Sequence, residues 1–269
     1  MSALLRPAPL LFVSHGAPSF ALQTQSKAAT NLQMQGKQLT GCKAIIAISP
    51  HWSTASLYIN NAAQPKIVHD FYGFAPALYQ LDYPAMGSTE DANMIASALR
   101  QAGIESQFDT HAAWDHGVWI PMRFLRPNGD IPVIHLSYPA SWNLSQLTAL
   151  GNALAALRAQ GFALLMSGAI SHNFADLNPN QSGSANYVER LRTKLFTLAS
   201  SKTLPQLDEL IKNDADFKRA HPTFEHFAPF YIALAATQTH DKAYVYQADV
   251  DYHALAMDSI LWLAQDAQT

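Results

Sequence analysis

Four short apolar segments of this chain each carry or precede a histidine. They are residues 10–14 before His15, residues 45–48 before His51, residues 131–136 around His135 and residues 163–167 before His172. Short apolar runs that end near glycine or proline are typical of buried strands. We expect the second strand to end at Ser49, because Pro50 lacks an N–H for the sheet ladder and disfavours helical geometry in its predecessor.

Polar and apolar residues alternate with a helical period between these strands. The predicted helices cover residues 21–38, 89–102, 120–125, 145–160, 222–236 and 252–264, and further strands are predicted at residues 57–59 and 243–247. This order predicts an α/β fold in which a central, mostly parallel or mixed sheet is flanked by helices, within a single domain over residues 1–269. The first two strands should pair in parallel through a right-handed crossover. The polar residues 181–220 form either an insertion or a lid.

Composition narrows the class of protein. The chain is 49% hydrophobic and 14% charged with a net charge of -3, which suits a globular enzyme and provides no basic cluster for nucleic acid. The single Cys42 excludes an internal disulfide and indicates a reducing compartment, so we expect a cytoplasmic protein. No apolar run is long enough to span a membrane, so we expect no membrane partner.

The histidines near the strand ends point to a site. Ligands of open α/β sheets bind outside the carboxyl ends of the strands, where several of these imidazoles should converge. A cluster of histidines favours a metal or acid/base centre over isolated structural groups. The aromatic residues 69–84, which are interrupted by glycine and proline, form a loop that either covers a pocket or packs on the sheet.

Five motifs carry a resemblance to a known family. They are Ser14-His15-Gly16, Ser49-Pro50-His51-Trp52, Asp115-His116-Gly117-Val118-Trp119, Ser167-Gly168-Ala169-Ile170-Ser171-His172-Asn173 and Glu225-His226-Phe227. In this order they resemble the class III extradiol (LigB-like) ring-cleavage dioxygenases, and within them the DOPA 4,5-dioxygenase-like branch. The resemblance implies a metal-dependent enzyme that uses O2 to open a substituted catechol to a muconic semialdehyde-type product, with a DOPA-like catechol as one candidate substrate. Its partners would be a small aromatic diol and O2.

The resemblance also implies roles for individual histidines. His15, His51 and His226 match the metal ligands, with ferrous iron as the catalytic metal. His172 matches the acid/base position and is a possible fourth ligand, and His116 matches a second catalytic histidine in the pocket. Three imidazoles also suit zinc, so purified protein could carry Zn(II) instead.

Further residues are expected to support this centre. Neighbouring helix residues point about 100° apart, so Glu225 should lie behind the metal ligand His226 rather than bind the metal. With Thr223 as N-cap, His226 would lie in the first turn of a helix. Asp115 and Asn173 are expected to position neighbouring groups. The candidates for the walls of the substrate pocket are Phe71, Tyr72, Phe74, Trp114 and Trp119.

Two other functions stay open at the level of sequence. The first is a zinc-dependent hydrolase, in which three histidines bind zinc and activate water. The second is a non-catalytic, metal-binding member of the same fold. Lys66, Arg123 and Arg126 could each bind a substrate carboxylate, and the sequence does not define the oligomeric state.

Overall fold

Successive side chains of the central strands point to opposite faces of the sheet, and the apolar ones are buried on both faces. In the computed structural model, which describes residues 6–265, Phe12, Ile46 and Leu164 pack on one face. Their neighbours Leu11 and Ile45 pack on the other face. A sheet that is buried on both faces needs a layer of helices on each side, which is the arrangement found here.

The main sheet contains eight strands in the order β4-β3-β5-β2-β6-β1-β10-β7. Their bounds are β1 Leu10–Ser14, β2 Ala44–Thr54, β3 Tyr58–Asn60, β4 Gln107–Asp109, β5 Val133–Pro139, β6 Phe162–Gly168, β7 Asp241–Tyr246 and β10 Ser259–Ala264. A separate hairpin consists of β8 Val250–Asp251 and β9 Leu255–Ala256. The four central strands β5, β2, β6 and β1 are parallel. Next to them, β10 pairs antiparallel with β1, and β7 pairs antiparallel with β10. The predicted α/β fold with a mixed sheet is confirmed.

Eight α-helices accompany the strands within the described residues. They are α1 Lys27–Gly36, α2 Thr89–Gln101, α3 His116–Leu125, α4 Leu144–Arg158, α5 Asn186–Ser201, α6 Leu204–Asn213, α7 Ala215–Ala220 and α8 Ala228–Ala235. α1 and α3 contribute to the core on one face, and the other helices contribute to the core on the opposite face. Residues 181–220 therefore include three helices whose apolar side chains, such as Leu191 and Leu195, belong to the core. No helix of residues 6–265 is long and apolar enough to cross a membrane.

Three predictions about the sheet and its last element are wrong. β1 and β2 do not pair with each other, because β6 lies between them and pairs in parallel with both. β2 does not end at Ser49 but continues through Pro50 and His51 to Thr54, with an irregular register against β5 after Ile48. Residues 252–264 form no helix, because β10 fills the space between β1 and β7 and completes their hydrogen-bonding edges.

Several helix ends also differ from the predictions. The first predicted helix is limited to α1, with short 3-10 turns at Pro18–Leu22 and Lys37–Leu39. α2 begins at Thr89 as predicted and is capped by Ser88, whose side chain accepts a hydrogen bond from the Asp91 N–H. α8 begins only at Ala228, with Pro229 in its first turn, where a missing N–H costs no helical hydrogen bond.

Candidate metal centre

Three imidazoles converge at the carboxyl end of the central strands. His15 directly follows β1, and its backbone N–H donates to the Gly168 carbonyl at the end of β6. His51 lies in the irregular part of β2, and His226 lies in the turn before α8. The carbonyl of His226 accepts a hydrogen bond from the Ala169 N–H, which fixes this turn to the end of β6. One ring nitrogen from each of the three histidines lies within 4.8 Å of the others.

Hydrogen bonds behind His15 determine which of its nitrogens faces the centre. Its Nδ1 lies 3.0 Å from the Ser167 hydroxyl oxygen, and that hydroxyl donates its own proton to the Gly117 carbonyl. Ser167 must therefore accept from His15, so Nδ1 carries the proton and Nε2 keeps its lone pair. The Nε2 atoms of His15 and His51 lie 3.2 Å apart. Burial, followed by the neighbouring histidines, holds the pKa of His15 well below its usual value.

His226, like His15, carries its proton on Nδ1 and keeps the Nε2 lone pair free. Its Nδ1 lies 3.2 Å from Oε1 of Glu225, while its buried Nε2 has no hydrogen-bond partner. The hydrogen bond from His226 lowers the pKa of Glu225 to about 2, so Glu225 is an ionised acceptor. Neutral imidazoles that present open nitrogens to one point are suitable ligands for a divalent metal, and a carboxylate behind such a ligand orients it. The residues therefore fit a metal centre.

The prediction that His226 lies in the first turn of a helix is wrong. His226 precedes α8 by two residues, and the residues from Thr223 to Phe227 form bends and turns. Thr223 does not cap a helix, since its hydroxyl donates to Oε1 of Glu225. The turn, rather than a helix dipole, directs the His226 nitrogen toward the centre.

His172 lies directly against His226. The two rings are stacked, with centroids 3.4 Å apart and planes inclined by 10°. An imidazole lone pair lies in the plane of its ring, and parallel planes this far apart do not meet at one metal ion about 2 Å from each nitrogen. Burial, then His226 and His221, lowers the pKa of His172 to about 3, so the ring is neutral.

His116 is oriented by Asp70, which the sequence analysis missed. The His116 backbone N–H and ring Nδ1 lie 2.8 and 2.9 Å from the two oxygens of this carboxylate. Nδ1 therefore carries a proton and Nε2 is the free nitrogen. The ring centroid of His116 lies 4.0 Å from that of His51. Asp70 is an acidic residue within the aromatic segment 69–84. That position could have indicated its role, because carboxylates commonly orient catalytic imidazoles.

Asp115 and Asn173 form no hydrogen bond to the imidazoles of His15, His51, His116, His172 or His226 among the described residues. Asp115 caps α3, accepts hydrogen bonds from the Ser49 hydroxyl at 2.7 Å and the Gly117 N–H at 2.8 Å, and has its pKa raised to about 6 by burial. Gly117 has no room for a Cβ, which would overlap the Ser49 hydroxyl. Asn173 donates to Asp176 and to the Arg219 carbonyl and accepts from the Ala175 N–H, so its side chain is engaged away from His172.

A cavity of about 500 Å³ opens over the histidines. Of the predicted wall residues, Phe71, Tyr72 and Phe74 line it. Trp114 and Trp119 do not line it, because both are fully buried in the core behind the loop. The sequence analysis missed other wall residues, which come from three separate segments: Ala17, Pro18, Phe174, Leu177, Pro179, Tyr252 and Leu255.

The fold and the histidine cluster define an α/β protein with a candidate metal centre at the carboxyl end of its central strands. Residues 8–257 match the family described as the catalytic LigB subunit of aromatic ring-opening dioxygenase, and the chain belongs to that family. The predicted family resemblance is thereby confirmed. An aromatic substrate and O2 follow from this membership.

Curated relatives extend over most of the chain. A protein of Beta vulgaris named 4,5-DOPA dioxygenase extradiol is 32% identical over 235 residues, which cover 86% of this chain and 88% of that protein. A protein of the same name from Escherichia coli K12 is 29% identical over 262 residues, covering 94% and 93%. The crystal structure of an uncharacterized Escherichia coli K12 protein, 24% identical, shares the fold with a TM-score of 0.74 over 94% of this chain and 99% of that chain.

Proposed function

We propose that this protein is an extradiol dioxygenase that opens the ring of a substituted catechol and adds both atoms of O2 to it. The product is a muconic semialdehyde-type compound. DOPA is one candidate substrate, since curated relatives carry its name. The observation that carries the proposal is the convergence of the His15, His51 and His226 nitrogens beneath the cavity.

The Nε2 atoms of His15, His51 and His226 would hold the metal. We propose Fe(II) for catalysis, and Zn(II) also suits three imidazoles. When bound, the metal supplies Lewis-acid stabilisation of the deprotonated diol and brings it together with O2. Ser167 and Glu225 contribute by fixing the Nδ1 protons of His15 and His226, so that their Nε2 lone pairs stay available.

His172 is the proposed acid/base. Its neutral ring lies on the cavity wall against His226, where it can accept a proton from a catechol hydroxyl. The low pKa of the buried His172 ring differs from the near-neutral value expected of a general base. The negative charge of a deprotonated diol beside the ring would raise this pKa and favour the imidazolium. We therefore assign His172 to proton transfer rather than to a fourth ligand position.

His116 is the proposed second catalytic histidine. Asp70 holds its Nδ1 proton and leaves Nε2 on the side of the cavity. This Nε2 can take up a proton and return it to a substrate oxygen. Phe71 and Phe74 exclude water from this space, which strengthens electrostatic interactions inside it.

The test uses protein loaded anaerobically with Fe(II) and a matched Zn(II)-loaded sample. Oxygen uptake coupled to a new visible absorbance from a catechol, only with iron, is the expected result. Oxygen-independent hydrolysis of an ester or amide by the zinc form would instead support the hydrolase function. Tight metal binding with neither reaction would support a non-catalytic metal-binding protein.

A further inference from the structure

The cavity is apolar beyond its histidines. Besides the histidines, its walls include Phe71, Phe74, Phe174, Leu177 and Leu255. A dry cavity of about 150 Å³ suffices for benzene, whereas this cavity measures about 500 Å³. A catechol therefore leaves most of the space to its substituent, which meets mainly carbon atoms.

The charges beside the cavity are negative. Asp70 and Glu225 hold the Nδ1 protons of His116 and His226, and their side chains are 24% and 35% exposed. An anionic substituent in an apolar cavity next to ionised carboxylates loses hydration and is repelled.

Positively charged side chains are absent from the cavity wall within the described residues. No lysine or arginine of residues 6–265 lines the cavity. Arg123 donates to the Asp82 carbonyl at 2.6 Å, and Arg126 pairs with Asp130. Arg219 pairs with Asp176 at 2.9 Å. Arg123, Arg126 and Lys66, which the sequence offered as carboxylate ligands, thus lie outside the cavity wall.

We infer that the preferred substrate is an uncharged catechol with an apolar ring substituent, such as an alkyl or ester chain, rather than a carboxylated or amino-acid catechol. The inference rests on the proposed ring cleavage and specifies its substrate class. It follows from the chemistry of the cavity wall and differs from the amino-acid substrate in the relatives' names.

Iron-loaded enzyme should be assayed with substrate pairs that differ mainly in charge, where the extra methyl group of a methyl ester accounts for only about fourfold of any preference. Dihydrocaffeate and its methyl ester form one pair, and L-DOPA and dopamine add zwitterionic and cationic substituents. The ester should exceed the acid in kcat/KM by at least about tenfold, and kcat/KM should rise about fourfold per added methylene from methyl- to ethyl- to propylcatechol. Equal or better turnover of dihydrocaffeate or L-DOPA overturns the inference, and a preference for dopamine shows selection of a cation and overturns it as well.

Two charge variants sharpen the test. Tyr72 is 92% exposed on the cavity rim, so Tyr72→Arg should fold normally and raise kcat/KM for dihydrocaffeate relative to its ester. Phe108→Arg is the matched control, because Phe108 is 44% exposed on β4 and does not line the cavity. An unchanged preference in Tyr72→Arg, or the same change in Phe108→Arg, argues against charge discrimination in the cavity.

Arg219→Gln tests a positive charge that is paired with the turn beside the cavity. Its partner Asp176 belongs to the short turn Phe174–Asp176 that also carries the wall residue Phe174. Removing the guanidinium should leave the ratio of ester to acid unchanged, and a selective loss of turnover for the acid would overturn the inference. Absence of ring cleavage with every catechol, despite bound iron, would overturn the proposed function together with this inference. Cleavage of only the carboxylated catechols would overturn the inference alone.

Discussion

The imidazole rings of His172 and His226 lie face to face, with centroids 3.4 Å apart. Because their planes are nearly parallel, the two rings do not direct lone pairs at one metal ion. This relationship separates the two proposed roles, metal binding by His226 and proton transfer by His172, and it gives the two residues different expected phenotypes.

Replacing His172 by Gln should lower kcat without removing the metal. Loss of a general acid/base typically costs about 10²- to 10⁴-fold in rate. Single-turnover kinetics and the metal content of the same samples provide the measurement, and exposed His111→Gln is the control. Parallel loss of metal and activity would show that His172 is a ligand.

Replacing Glu225 by Ala should weaken metal binding. The carboxylate accepts the Nδ1–H of His226, and loss of a group that orients a ligand costs about 10- to 100-fold in affinity. Glu225→Gln keeps an acceptor and should lose less. Titration of apoprotein with Fe(II) or Zn(II) gives the affinities, with exposed Glu209→Ala as control. Unchanged affinity in Glu225→Ala would be inconsistent with this supporting role.

Asp70→Asn should reduce turnover through His116. A hydrogen bond to a charged group contributes about 1.5–3 kcal/mol, which corresponds to about 10- to 100-fold in kcat/KM. Asp82→Asn, in the same loop, is the control because Asp82 Oδ1 accepts only the Tyr83 N–H among the hydrogen bonds of the described residues. If Asp70→Asn bound metal normally and turned over at the wild-type rate, the proposed role of the Asp70 and His116 pair would be wrong.

Stability depends on a buried ion pair far from the cavity. Arg158 binds Asp241 through two hydrogen bonds of 2.6 and 2.8 Å, and both side chains are fully buried. Arg158→Leu leaves the Asp241 carboxylate without its partner and should lower the free energy of unfolding by about 3–5 kcal/mol. Urea denaturation measures this loss. The pair of Arg190 and Asp216 provides the control, because the Arg190 side chain is 59% exposed and Asp216 keeps its second partner Lys194, so Arg190→Leu should leave the urea midpoint nearly unchanged. A similar midpoint for both variants would contradict the importance of burial.

The sequence by itself determined the central strands and the histidines that follow them. Apolar runs such as Leu10–Ser14 and Phe162–Gly168 have no alternative to burial on both faces, so their identity as strands was local information. The carboxyl-end rule then brought His15, His51 and His172 to one edge. His226 was found through the family resemblance, because no local pattern links residue 226 to β1.

Only the tertiary structure decided the elements whose local pattern suits two conformations. Residues 259–264 become β10 because the edges of β1 and β7 offer hydrogen bonds that a helix cannot use. The turn of His226 is held by the Ala169 N–H, and the orientation of His116 depends on Asp70, 46 residues earlier. Such partners are distant in sequence, so periodicity does not contain them. The sequence thus determined which groups are candidates for the chemistry, and packing decided which carboxylates and apolar walls surround them.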